Sequence, residues 1–176
     1  MAFANQWYVR NPKRYQAERT AMMQRMAACN PVEKQLADGR RGFQLDIKVP
    51  DPDGEITAAN GAHFKKYTVM LVWNNDHPQS AANHFGGSVK CYFLSPKIEE
   101  MERDFLAHGR PYIPHLLNDV HPRTGAPIRI PCTAQLGQED NRTFTIVTAV
   151  GLVNSWLAAY TASKYRKTAY DKFRQH

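Results

Sequence analysis

The chain has 176 residues, of which 43% are hydrophobic and 22% charged, with 10 Gly and 11 Pro, a profile that excludes a disordered or collagen-like chain. At this length about 70% of the unfolded surface can be buried, so a core forms without disulfides or a structural metal. The net charge of +7 sits at the two ends: residues 1–41 carry eight Lys/Arg against three acids, residues 163–176 carry five against one, and the middle is slightly acidic. Basic termini suit an acidic protein partner or nucleic acid, but the sequence has no aromatic RNP stretch, zinc-finger spacing or GXXG loop, so nucleic acid is not the expected partner.

From Asn11 to Ala28, Tyr15, Met22, Met23 and Met26 recur at helical spacing among Arg14, Arg19 and Arg25, which predicts an amphipathic first helix ending at Asn30-Pro31. Phe43, Leu45, Ile47 and Val49 alternate with polar residues as a half-buried strand does, and Pro50-Asp51-Pro52-Asp53-Gly54 is a turn. Strands are predicted at Lys66–Trp73 and Ser88–Leu94, making an antiparallel meander with the first. Ile98, Met101 and Phe105 mark a short helix, and Ile113–Leu117 a short strand in a proline-punctuated segment that runs to Pro131. An apolar helix from about Thr143 carries Ile146, Val150, Val153, Leu157 and Tyr160 on one face, with Phe144, Val147 and Trp156 flanking it. A last helix turns Tyr165, Ala169 and Phe173 inward and Lys164, Arg166, Lys167, Lys172 and Arg174 to solvent. The longest apolar stretch, Thr145 to Tyr160, falls short of the roughly 20 residues of a membrane span. The N-terminal residues have no apolar run before a cleavage site, so a cytoplasmic chain of one domain, residues 1–176, is expected.

Cys29, Cys91 and Cys132 form no CxxC pair and leave one over, which favours reduced thiols. Cys91 lies in an alternating strand pattern and reads as core, whereas Cys132 lies in a polar, partly exposed loop between Arg129 and Arg142, where a thiolate is better supported. His77, His84, His115, His121 and Cys132 show no compact zinc spacing, so no metal is expected. Gly86-Gly87 lacks the surroundings of a phosphate loop and reads as a turn, so no nucleotide cofactor is expected.

The order of helix, three-strand meander, extended loop with His-Pro, cysteine and C-terminal helices resembles the ubiquitin-conjugating enzyme family. His84-Phe85-Gly86-Gly87 looks like its Pro-Tyr-x-Gly-Gly turn, Phe93-Leu94-Ser95-Pro96 like its Phe-Pro strand end, and Pro111-Tyr112-Ile113-Pro114 sits at its proline-rich link. His121-Pro122 matches the start of its His-Pro-Asn motif, and Gly125 with Ile130-Pro131-Cys132 looks like its Gly…Ile-Cys. The similarity is greatest to divergent bacterial members from ubiquitin-like conjugation operons, for which an antiviral role is the associated expectation. The resemblance implies an α+β fold of the UBC type, with an antiparallel meander of about four strands, an N-terminal helix and C-terminal helices. It makes Cys132 the nucleophile that accepts a ubiquitin-like modifier as a thioester from an activating enzyme and passes it to an amine on a protein target, with no cofactor. His121 would order its loop, and Arg123 stands where the family has its oxyanion asparagine; Asn118, Asp119 and Asn141 are alternatives for that place. Lys13, Arg14, Arg19 and Arg25 lie on the helix that the family presents to its activating enzyme, and a solvated helix face explains them equally well. The rival readings are a UBC-like interaction module without chemistry, a Cys-His hydrolase with His121 as base, and a basic nucleic-acid binder.

Overall fold

The computed structural model describes residues 5–78, 87–132 and 144–175. A single helical turn, α1 (Trp7–Arg10), leads into α2 (Pro12–Arg25). Pro12 starts α2 at a position where its missing N–H costs nothing. A 3-10 turn at Ala27–Cys29 follows, and Asn30, in the left-handed region at φ 49°, ends the helical run before Pro31. The helix is therefore shorter than the predicted Asn11–Ala28. Its buried side chains are Tyr15, Glu18 and Met22, an i, i+3, i+7 stripe with a carboxylate in the middle, while Met23 is 44% exposed.

The main sheet is built from β1 (Val32–Gln35), β2 (Arg41–Pro50), β3 (Ile56–Thr57), β4 (His63–Trp73) and β5 (Val89–Ser95). All pairings are antiparallel: β1 with β2, β2 with β4, and both β3 and β5 on the other side of β4. The predicted meander is β2, β4 and β5, and β1 and β3 are additions at its margins. At the β2–β3 turn the Asp51 side chain accepts from the Asp53 N–H, and Gly54 N–H donates to the Asp51 carbonyl. A Cβ on Gly54 would lie 2.2 Å from the Phe64 carbonyl carbon, so only glycine lets β4 pass this close.

α3 (Ile98–Ala107) follows β5 and buries Ile98, Met101 and Phe105 as the spacing predicts. The proline-rich segment then forms a separate hairpin of β6 (Leu116–Val120) and β7 (Pro127–Pro131). β6 begins three residues later than predicted, and β7 escaped prediction because prolines stand at both its ends, which an edge strand tolerates.

α4 (Ile146–Tyr165) and α5 (Lys167–Gln175) close the chain. Thr145 caps α4 by accepting from Thr148 N–H. α4 reaches 20 residues, longer than its apolar run suggested, and is long and apolar enough to cross a membrane by length and composition alone. More than half of it is buried against the rest of the protein. It packs on the inner sheet face, where Phe43, Leu45, Ile47, Tyr67, Val69, Leu71, Trp73 and Phe93 meet Ile146, Val153, Trp156, Leu157 and Tyr160. The other face carries a smaller core of Leu36, Met70, Val72 and Tyr92 covered by Ile130 of the hairpin. The architecture is α+β, a curled antiparallel sheet with helices at both ends of the chain.

The predicted phase of the last helix is corrected. Because α4 continues through Tyr165, Lys164 falls on the stripe of Leu157, Tyr160 and Thr161 and its side chain is fully buried. Tyr165 is 37% exposed, while α5 buries Phe173 as predicted, with Tyr170 in place of Tyr165.

Several phenols sit within this core. Burial and the nearby Asp119 push Tyr92 up to about 12, and burial, followed by the buried acids and neighbouring phenols, pushes Tyr67 and Tyr160 further in the same direction. A raised folded pKa gives stability that is complete below the unfolded value of about 10 and is lost as pH rises through the folded values. Urea unfolding at stepped pH should therefore show a midpoint that falls steeply only above about pH 10. A midpoint that holds to pH 12 would mean that these phenols ionise without cost in the fold.

Candidate functional site

The three cysteines occupy different environments. Cys91 is fully buried in β5 and burial drives its thiol far up; Cys29 is half-buried, and burial together with the charge of Asp46 raises it too. Both environments oppose a thiolate. Cys132 is also half-buried but stands at the end of β7, just beyond the last ladder pair, Leu116 with Pro131. Its N–H donates to the His115 carbonyl at 2.7 Å.

His121 and Arg123 lie at the other end of this hairpin. The ladder has five pairs, from Leu116–Pro131 to Val120–Pro127, and Cys132 and His121 lie one step beyond its opposite ends, so six rises of about 3.4 Å put them about 20 Å apart. His121 Nδ1 faces the Arg123 and Thr124 N–H groups at 3.2 and 3.3 Å, and its backbone bonds to Ala126 and Gly125. The ring therefore orders the turn. Arg123 is exposed, and neither residue is brought to the Cys132 sulfur. Asn118 is exposed mid-strand opposite Arg129. Asp119 pairs with Lys90 at 3.1 Å and accepts from Tyr92 Oη. Asn141, Arg142 and His84-Phe85-Gly86 lie outside the described residues.

The residue whose backbone stands across the hairpin from Cys132 is His115, which the sequence offered only as one of several scattered histidines. His115 is in the left-handed region at φ 56°, its Nε2 bonds to the Phe173 carbonyl of α5, and its ring packs against Phe173 with centroids 5.4 Å apart.

The four basic residues of α2 divide into two pairs. Arg14 bridges Glu18 at 2.9 Å and the Phe144 carbonyl, and Arg19 bonds Glu33 of β1 at 2.7 Å. Lys13 and Arg25 are exposed. If this face docks an acidic partner, Lys13→Glu with Arg25→Glu should slow association several-fold at low salt and much less at 0.5 M, as measured by stopped-flow binding. Equal rates at both salt concentrations would leave these charges as a solvated face.

A polar network absent from the sequence reading lies beneath α2. Glu18, 3% exposed, accepts from His77 Nε2 at 2.8 Å, Trp73 Nε1 at 3.1 Å and Ile146 N–H at 3.0 Å, and His77 Nδ1 meets Ser88 Oγ at 2.8 Å. Burial pushes the Glu18 carboxyl up, but the bonds and charge of His77 with those of Arg14 and Ile146 outweigh it and leave it below its ordinary value. The order hydroxyl, imidazole, carboxylate has the connectivity of a catalytic triad. Ser88 is 0% exposed, however, and the carboxylate caps α4, so the network acts as a structural joint. A cleft of about 480 Å³ lies outside it, lined by Arg10, Asn11, Asn75, Asp76, His77 and Pro78.

Among the described residues no group of three or more His, Cys, Asp or Glu is arranged to hold a metal. Comparison with protein-family models, curated proteins and solved structures returned no match.

Proposed function

We propose that the chain is a conjugating enzyme of the ubiquitin-like type, in which Cys132 accepts a small protein modifier as a thioester and passes it to a target amine. The observation that carries this reading is the position of Cys132. It ends a hairpin that has a His-Pro turn at its tip and lies shortly before the core helix α4 in the chain, whereas burial raises the thiols of Cys29 and Cys91. The overall order of helix, antiparallel meander, hairpin, cysteine and paired C-terminal helices supports it. A thioester already holds the reactivity for aminolysis, so the protein's task is placement and oxyanion stabilisation rather than strong base catalysis. The partners under this reading are an activating enzyme, the modifier and a protein target, in the cytoplasm and without cofactor.

Intact mass after incubation with ATP, a ubiquitin-like protein and its activating enzyme tests the reading. The expected product is an adduct of modifier mass that thiol reductant removes, with complete loss in Cys132→Ala. An adduct that persists in Cys132→Ala would sink it.

A second reading, an interaction module of the same fold without chemistry, is favoured by the distance of His121 and Arg123 from Cys132. It predicts no adduct with partners that charge a competent carrier.

A further inference from the structure

We propose that the His-Pro turn belongs to a binding site of its own, a cavity at the hairpin end opposite Cys132 that takes a small molecule with an apolar stem and a single carboxylate. The cavity has a volume of about 380 Å³ and lies where the hairpin tip meets the end of β5 and the start of α3. All three contribute apolar lining: Phe93 and Leu94 of β5, Ile98 of α3, and Pro127 and Ile128 of β7. Phe93 and Ile98 are only 3% and 2% exposed, so the floor is set by core packing and is formed before any ligand arrives. A concave, mostly apolar space of roughly 300–1,000 Å³ with a few placed polar groups is the usual form of a small-molecule site.

The polar groups of the lining are Lys97, Glu99, His121 and Thr124. His121 is the most closely defined. Its Nδ1 accepts from the Arg123 and Thr124 N–H groups, so in the neutral ring the proton is on Nε2. That N–H is a donor without a partner among the described residues. The turn also holds it still. His121 N–H donates to the Ala126 carbonyl, and the His121 carbonyl accepts from Gly125 N–H, with Gly125 in the left-handed region at φ 70°. The two ring nitrogens thus divide the work: Nδ1 orders the turn, and the ordered turn presents Nε2 in advance of binding, which lowers the entropy lost when a ligand is held.

The other groups fix the ligand's chemistry. Thr124 Oγ1 accepts from Ala126 N–H at 3.4 Å, which leaves its O–H to donate. Lys97 is exposed and forms no ion pair among the described residues. An ammonium, an imidazole N–H and a hydroxyl above an apolar floor match a carboxylate, whose two oxygens accept several bonds at once. Glu99 is the acid of this lining and sets the limit: it offsets the charge of Lys97 and repels a second negative charge on the ligand. The rim that holds a monocarboxylate therefore rejects a dicarboxylate.

The experiment follows the NMR methyl resonances of Ile98 and Ile128 in the full chain as sodium octanoate is added. Both should move along a saturating curve, while those of Ile47 in β2, which does not line the cavity, stay in place. Octanedioate, with a second carboxylate, should bind more weakly. Lys97→Met and His121→Asn should each weaken octanoate about tenfold, the loss of one bond to a charged group. Asn retains an acceptor for the N–H groups of the turn but lacks the Nε2 donor. Should His121→Asn disorder the hairpin, Lys97→Met decides alone. Methyl resonances of Ile98 and Ile128 that do not move overturn the proposal, as does octanoate binding that is equal in the parent and in Lys97→Met. Because Cys132 stands at the other end of the hairpin and takes no part, this result and the thioester test are independent of each other.

Discussion

Glu18→Ala should destabilise the protein by about 3–5 kcal/mol, the cost of breaking a buried charged network by removing one partner. The carboxylate is 3% exposed and accepts from Arg14 Nε, His77 Nε2, Trp73 Nε1 and Ile146 N–H. Its removal leaves the indole N–H, the first N–H of α4 and the imidazole buried, each worth about 1–3 kcal/mol when unpartnered. The loss also runs through the aromatic block, because Trp7 packs on Trp73 and His77 with centroids 5.3 and 4.6 Å apart. Glu18→Gln keeps the volume, yet its amide NH2 must point at a donor wherever it turns, so it should recover less than half of the loss. Chemical denaturation checks both, with the midpoint moving and the slope unchanged. A loss below 1 kcal/mol in Glu18→Ala would mean that water replaces the carboxylate and that α2 is not pinned to α4 through it.

Glu18 also shows where the sequence stops being readable. The alternation in Phe43–Val49 and the β-branched run in Lys66–Trp73 each report a local period, and β2 and β4 appear where that period places them. The stripe of Tyr15, Glu18 and Met22 has a period as well, but its central residue is charged, and a charged residue is ordinarily assigned to the solvent side. Its burial depends on donors from β4, from the segment after it and from α4, up to 128 positions away. The burial of Lys164 is hidden from local periodicity for the same reason, since its partners Asp51 and Asp104 lie in a turn and a helix that no local pattern connects to it.

The candidate site divides in the same way. Cys132 stands out by its context in the chain, but its neighbour is set by strand register. The 11 positions from His121 to Cys132 suggest proximity. The hairpin turns that interval into opposite ends of a five-pair ladder and sets the backbone of His115 across from the cysteine, with the His115 ring turned to α5.

Lys164→Met is expected to cost about 3–5 kcal/mol at pH 7, and the cost should shrink in acid. Nζ lies 2.8 Å from Asp51 Oδ2 and 3.0 Å from Asp104 Oδ2, and the Lys164 side chain is fully buried. Met fills most of the stem's volume, so the loss measures two carboxylates left without their cation rather than a cavity. Burial pushes both carboxyls up; the Lys164 bonds and charge, with Tyr165 and the Asp53 N–H at Asp51 and with Lys65 and His108 at Asp104, bring them below their ordinary values. A lowered carboxyl pKa gives stability that is present above the unfolded value of about 3.9 and is lost as pH falls through the folded value. Without Lys164 the burial effect is left less opposed, both carboxyls rise, and the variant protonates first. The gap between parent and variant should therefore narrow from pH 7 to about pH 3, as the parent loses an advantage the variant never had. Adding Asp51→Asn should recover part of the loss at pH 7, because the amide oxygen still accepts from the Asp53 N–H while the buried charge is gone. A gap that stays constant between pH 7 and pH 3 would show that Lys164 contributes through its stem and not through the two acids that enclose it.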